Sequence, residues 1–161
     1  MSDTPIVLMV CLGNICRSPT AEAAVRDAAD RADVAVEVRS AGTGAWHVGS
    51  PPDARMTDAA ATVGLTLGGQ AEQVDAASMQ AADLVLARDS SNLGALRAIA
   101  VEKGVATPVR LFREFDPEAH GELEVPDPYN GGPSGFDDVV AICCRTAEQL
   151  VTELGQLTAD R

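Results

Sequence analysis

The apolar run Ile6-Val7-Leu8-Met9-Val10 stops at Cys11-Leu12-Gly13-Asn14-Ile15-Cys16-Arg17-Ser18, and a helical pattern begins directly after it. Such a run, closed by a turn, reads as a strand buried on both faces. A buried strand that feeds a helix through a tight Gly-Asn turn constrains the fold strongly, because it opens a β-α unit with a concave loop at the strand's carboxyl end. In that loop a thiol and a guanidinium stand with five residues between them. The backbone N–H groups of a tight loop can converge as an anion nest, and the next helix adds its positive N-terminal end. Arg17 supplies a planar fork for two oxyanion oxygens. The same positive field favours the thiolate of Cys11, which is the nucleophilic form. Gly13 and Asn14 are residue types that reach positive φ. By itself a cysteine after a strand is usually a small buried hydrophobe, and C-x5-R matches many unrelated chains. The strand before, the helix after, the Gly-Asn pair and Ser18 make the loop a candidate for binding and attacking a phosphate-like oxyanion.

A chain of 161 residues is expected to form a single domain over residues 1–161 with a real core. Aromatic residues are only 3%, so Ala, Val, Leu and Ile must fill that core, and the few aromatics belong at particular places. The formal net charge of −12 argues against nucleic acid or an anionic membrane as partner. An anion bound here is held by local loop geometry against an unfavourable global field. The first residues lack a basic stretch, and the apolar run is too short for a signal peptide or a membrane span, so a cytoplasmic protein is expected. The four cysteines, Cys11, Cys16, Cys143 and Cys144, then read as reduced thiols. With only His47 and His120 and no C-x2-C pair, no metal or other cofactor is expected.

Residues 6–11 read as the first strand. Ser18 is placed as N-cap and Pro19 at the first position of an Ala-rich helix over 19–31. Residues 34–40 alternate as a second strand. A Gly-, Ser- and Pro-rich loop over 41–52 carries Trp46, the only tryptophan. Helices are expected over 53–63, ending near Gly64, and over 75–82. A third strand follows at 83–87, then a helix capped by Ser90 or Ser91 that runs to Lys103 and stops at Gly104. A short strand at 108–111, a long loop over 113–135 and a final helix over 136–154 complete the pattern. This order predicts an α/β fold: a four-stranded parallel sheet with helices on both faces and the phosphate-binding loop after strand 1. Ligands of such sheets bind at the carboxyl ends of the strands, where Cys11, Ser40 and Asp89 all fall.

The long loop contains Val125-Pro126-Asp127-Pro128-Tyr129-Asn130-Gly131-Gly132. A thiol that takes a phosphoryl group needs a proton donor for the leaving oxygen. Asp127 sits between two prolines on a stiff backbone, with an aromatic neighbour. Glu122 and Glu124 compete for the same role.

Three stretches together resemble the low-molecular-weight protein tyrosine phosphatases: Cys11 to Ser18 with Pro19-Thr20-Ala21-Glu22, Ser40-Ala41-Gly42-Thr43 with Trp46, and Asp127-Pro128-Tyr129. The Trp46-His47-Val48-Gly49 and Leu111-Phe112-Arg113-Glu114-Phe115-Asp116-Pro117 stretches are similar to bacterial, particularly actinobacterial, members. The resemblance implies Cys11 as nucleophile, Arg17 and the backbone of Leu12, Gly13, Asn14, Ile15 and Cys16 as the phosphate cradle, and Asp127 as general acid and then base. It implies that Ser18 hydrogen-bonds the thiolate and that Asn14 and Ser40 steady the loop. Trp46 and Tyr129 would wall the cleft. Asp89 and Asn92 would brace the loops at its edge, and Asp53 with Arg55 would be structural. The partners implied are a phosphotyrosine-containing protein and inorganic phosphate or another oxyanion at the loop.

The chain departs from the family at three places. Gly69-Gln70-Ala71-Glu72-Gln73 replaces a His-x-Ala-Arg-Gln segment whose His supports the phosphate loop. Asn130 stands where many members carry a second aromatic, and Arg88 stands where an apolar residue usually precedes Asp89. Three other readings share the motif: an arsenate reductase using Cys143 and Cys144, a protein-arginine phosphatase, and a non-catalytic phosphate sensor. Adjacent cysteines in mid-helix read as core or core edge, against the first. Ile15, where the arginine phosphatases resembled carry Thr, disfavours the second. The presence of both Cys11 and Asp127 disfavours the third. Cys16 lies where it can trap an oxidised Cys11 as a disulfide, making the activity redox-sensitive.

Overall fold

The computed structural model describes residues 4–126, 128 and 134–159, the last three as backbone only. Strands β1 (Ile6–Cys11), β2 (Glu37–Gly42), β3 (Leu84–Ala87) and β4 (Val109–Leu111) form one parallel sheet in the order β2-β1-β3-β4. Helices α1 (Arg17–Ala32), α2 (Ala54–Ala61), α3 (Ala76–Ala81), α4 (Ser90–Lys103) and α5 (Gly135–Ala159) connect and cover it. β1 is central, which is why its sequence is apolar at every position rather than alternating. Val7 and Met9 pack into a core with residues of α1, α2 and α5. Leu8 and Val10 join a second core on the opposite face with α3 and α4. The expected architecture is therefore present, and among the described residues no helix is long and apolar enough to cross a membrane.

Several local expectations are corrected. β2 runs over Glu37–Gly42 rather than 34–40, because its pairing begins where β1 begins, Ile6 opposite Glu37, and ends with Cys11 opposite Gly42. Val34 and Val36 pack against the core ahead of the strand, which extends the apolar alternation beyond it. Ser18 is not the N-cap of α1. The helix starts at Arg17 after Cys16, which offers no side-chain cap, and Pro19 falls at its third position. Pro is tolerated there because first-turn N–H groups have no helical partner in any case. α4 is capped by Asp89, whose carboxylate accepts the Asn92 N–H at 2.8 Å, and not by Ser90 or Ser91. The loop after β4 is not wholly irregular, since Phe112–Phe115 forms a 3-10 turn.

Candidate active site

The loop between β1 and α1 is held from outside by its carbonyls. Thr43 N–H donates to the Cys11 carbonyl at 2.9 Å, Gly44 N–H to Leu12 at 2.8 Å, Asp53 N–H to Ile15 at 2.8 Å, and Thr20 N–H to Cys16 at 3.2 Å. No described peptide bond is cis. In a trans peptide the carbonyl and the next N–H point in opposite directions. Tying those carbonyls outward therefore turns the N–H groups of Leu12, Gly13, Cys16 and Arg17 to the inner side of the loop. α1 correspondingly starts without a side-chain cap on its first donors. Gly42 makes the approach possible. A Cβ there would stand 2.7 Å from the Leu12 carbonyl oxygen and 3.1 Å from the Asn14 nitrogen.

Inside the loop a chain of hydrogen bonds ends on the thiol. Cys11 Sγ lies 3.0 Å from Ser18 Oγ and accepts the Asn14 N–H at 3.2 Å. Asn14 has φ of 58°, as its residue type suggested. Its side-chain amide donates to Ser18 Oγ at 2.8 Å and to Ser40 Oγ at 3.0 Å, while its oxygen accepts the Glu72 N–H at 2.9 Å. Ser18 Oγ thus receives one hydrogen bond and has its single proton to give. The Ala41 carbonyl is the other acceptor within reach, at 3.5 Å. The shorter contact favours the Cys11 sulfur over the Ala41 carbonyl as the acceptor of that proton. The network continues outward through the Ser40 hydroxyl to the carboxylate of Glu22. Burial pushes the Glu22 carboxyl above its ordinary range, opposed by Arg26 and the Ser40 hydrogen bond and reinforced by Glu72.

At the Gly69 segment, where the His is absent, the described contact with the loop runs through backbone. Glu72 N–H holds Asn14, and the segment is pinned because Gly42 N–H donates to the Glu72 carbonyl at 2.8 Å and Ala71 N–H to Ser50 at 2.8 Å. A backbone donor works with any side chain at residue 72, so Glu is accepted there.

Arg17, 9% exposed, donates from Nη1 to the Val125 carbonyl at 3.2 Å. Asp53 caps α2 by accepting the Arg55 and Met56 N–H groups at 2.9 and 3.1 Å, and its own N–H ties that cap to Ile15. Asn92 reaches Thr43 Oγ1 at 3.4 Å, so Asp89 and Asn92 brace the loop through Thr43. Arg88 forms an ion pair with Asp89 at 2.9 Å.

These groups surround a cleft of about 180 Å³ lined by Cys11, Leu12, Gly13, Ile15, Cys16, Arg17, Trp46, His47 and Pro128. Trp46 is 74% exposed and stands at its edge; a Cβ on Gly44 would run into the indole. No carboxylate occurs among the described residues that line the cleft. Glu124 is engaged elsewhere, accepting the Ser90 N–H at 3.0 Å. Asp127 and Tyr129 lie outside the described residues, although Pro128 between them lines the cleft. All four cysteines are free thiols. Cys143 is fully buried, and burial, with Cys144 and Cys11 adding to it, pushes its thiol far above the usual range. A thiol so placed is a poor relay nucleophile. No group of side chains among the described residues is arranged to hold a metal ion.

Sequence reasoning gave no site role to Glu22, Gly42, Gly44, His47 or the Glu72 backbone. Glu22, Gly42 and His47 fall within the stretches that carry the resemblance and Gly44 lies beside one, but none was given a role of its own.

Residues 6–159 match the family described as "Low molecular weight phosphotyrosine protein phosphatase". The chain is 45% identical over 135 residues to a low molecular weight protein-tyrosine-phosphatase of Streptomyces coelicolor, covering 82% of each chain. It is 42% identical over 145 residues to low molecular weight protein-tyrosine phosphatase A of Mycobacterium tuberculosis, covering 88% of this chain and 86% of that one. Its backbone is similar to the crystal structure of YfkJ from Bacillus subtilis, with a TM-score of 0.86 at 34% identity over 97% of this chain and 98% of the other.

Proposed function

The chain belongs to the low molecular weight phosphotyrosine protein phosphatase family and is an enzyme of that class; from that premise we propose that Cys11, Arg17 and Asp127 hydrolyse protein phosphotyrosine through a cysteinyl-phosphate. The observation that carries the reading is the Cys11–Ser18 contact inside a loop whose Cys11, Leu12, Ile15 and Cys16 carbonyls are tied away from it. Anion donors and nucleophile then face the same point.

In the first step Cys11 Sγ attacks phosphorus in line. The S–P bond forms, the bond from phosphorus to the phenol oxygen breaks, and Asp127 gives its proton to that oxygen. In the second step Asp127 takes a proton from water, whose oxygen attacks phosphorus. The S–P bond breaks, phosphate leaves, and Ser18 receives the returning thiolate. Charge on the equatorial oxygens is met in both steps by Arg17 and the loop N–H groups. Preorganised donors of this kind are each worth about 3–4 kcal/mol in an oxyanion hole. Trp46, Ile15 and Tyr129 flank the substrate ring, and Ile15 disfavours the more polar phosphoarginine. The test is a panel of phosphotyrosine peptide, phosphoserine peptide, phosphoarginine and arsenate. Turnover restricted to aryl phosphates is expected. Preferred turnover of phosphoarginine, or thiol-coupled reduction of arsenate, would overturn the substrate assignment.

A further inference from the structure

Asp116 is a buried carboxylate outside the cleft, and its two oxygens receive four donors. Oδ1 accepts from Arg145 Nε at 2.8 Å and from the Glu118 N–H at 2.9 Å. Oδ2 accepts from Arg113 Nε at 2.8 Å and from Arg145 Nη2 at 3.1 Å. Its side chain has no exposure, whereas those of Arg113 and Arg145 are 10% and 29% exposed. Breaking such an arrangement costs more than forming it gains, so stability alone is a weak reason for it. What it does achieve is orientation. With Nε fixed on Asp116, Arg113 aims Nη1 at the Glu124 carbonyl, 2.9 Å away. The next carbonyl, that of Val125, accepts from Arg17 at 3.2 Å, and the Val125 N–H donates to the Arg88 carbonyl at 2.8 Å. The backbone of Glu124 and Val125 is thus gripped from the 3-10 turn, from α1 and from Arg88, the residue that follows β3. Two residues further along the chain is Asp127. On the far side of Asp127, Pro128 is held against the start of α5, where a Cβ on Gly135 would stand 2.6 Å from the Pro128 carbonyl oxygen.

We propose that Arg113, locked by Asp116 and Arg145, is a positioning residue that sets the segment carrying the general acid and, through the Val125 carbonyl, the guanidinium of Arg17. The proposal rests on the assignment of Asp127 as general acid. A planar guanidinium is required, because one side chain must meet a carboxylate and a carbonyl in two fixed directions. Lysine keeps the charge beside Asp116 but not the second direction.

The experiment compares Arg113→Lys, Arg145→Lys and Asp127→Asn with wild type over a series of aryl phosphates of increasing leaving-group basicity. Rates are divided by the active sites counted from the burst of phenol. A residue that only supports the fold lowers the number of active sites and leaves the dependence on leaving group untouched. The expected result for Arg113→Lys is a loss of about 10–100-fold for basic phenols and about threefold or less for acidic ones. Arg145→Lys should show the same tilt, smaller, and it decides the matter if Arg113→Lys does not fold. Wild-type dependence in both lysine variants, with Asp127→Asn altered, would overturn the clamp and leave the acid in place. Wild-type dependence in Asp127→Asn would remove the acid assignment and the clamp's role with it.

Discussion

At the scale of single residues the proposed chemistry depends on where one proton of Ser18 points. Ser18→Ala removes a hydrogen bond to a charged sulfur, an interaction worth about 1.5–3 kcal/mol. Turnover should fall roughly 10–100-fold, measured as kcat with an aryl phosphate, and Ser40→Ala, one bond further out, should lose less. Equal losses in the two variants would contradict the ordering of the network. Cys11→Ser should abolish turnover yet still bind phosphate by calorimetry, because the loop N–H groups and Arg17 remain. Cys16→Ser should stay active but lose recovery by thiols after peroxide, whereas a Cys143→Ser, Cys144→Ser double variant should recover normally; the opposite pattern would exclude Cys16 as the protecting thiol. At this scale the loop was legible because residue chemistry and spacing coincide: thiol, guanidinium and a Gly-Asn turn within eight residues. Glu22 was visible only as a member of a motif stretch; its contact with Ser40 was not, because it forms only once α1 packs on β2.

At the scale of elements, each strand end and helix start contributes one support to the loop. Gly42 is the sharpest case, since the atoms its Cβ would strike are backbone and cannot swing aside. Gly42→Ala should therefore cost about 1–3 kcal/mol of stability and weaken phosphate binding together with it. A variant with wild-type phosphate affinity would show that the loop does not depend on this approach. Element order was readable because the apolar runs and Ala-rich helices alternate, and a parallel sheet follows from that alternation. Caps were misread where a side chain had a tertiary use. Ser18 has the residue type of an N-cap but is taken by Cys11, and Asp89 caps α4 ahead of two serines that suit the role equally well. The Asp116 clamp was invisible because Arg113, Asp116 and Arg145 come together only when α5 packs on the 3-10 turn.

At the scale of the whole molecule, charge shapes both stability and encounter. Burial by itself would raise the Asp116 carboxyl, but the hydrogen bonds from Arg145, Arg113 and the Glu118 N–H outweigh it and hold it at about 2. A carboxyl depressed in the folded state contributes stability above its unfolded value, and that contribution is lost as pH falls through the folded one. Roughly 2 kcal/mol should therefore disappear between about pH 4 and pH 2, and Asp116→Asn should flatten the acid limb of a denaturant-midpoint profile. A net charge of −12 repels acidic phosphopeptides over a Debye length of about 30 Å at 0.01 M salt and about 8 Å at 0.15 M. At low salt kcat/KM should favour basic over acidic flanking residues, with the gap closing as salt rises. Loop, clamp and acid segment all converge on one covalent event, phosphoryl transfer to Cys11. Rapid quenching of wild type and of Asp127→Asn during turnover, followed by peptide mapping, reads that event directly. A phosphate on Cys11 sulfur, formed at the burst rate, is the result expected. Turnover with no phosphoenzyme in either protein, or phosphate on any other residue, would contradict it.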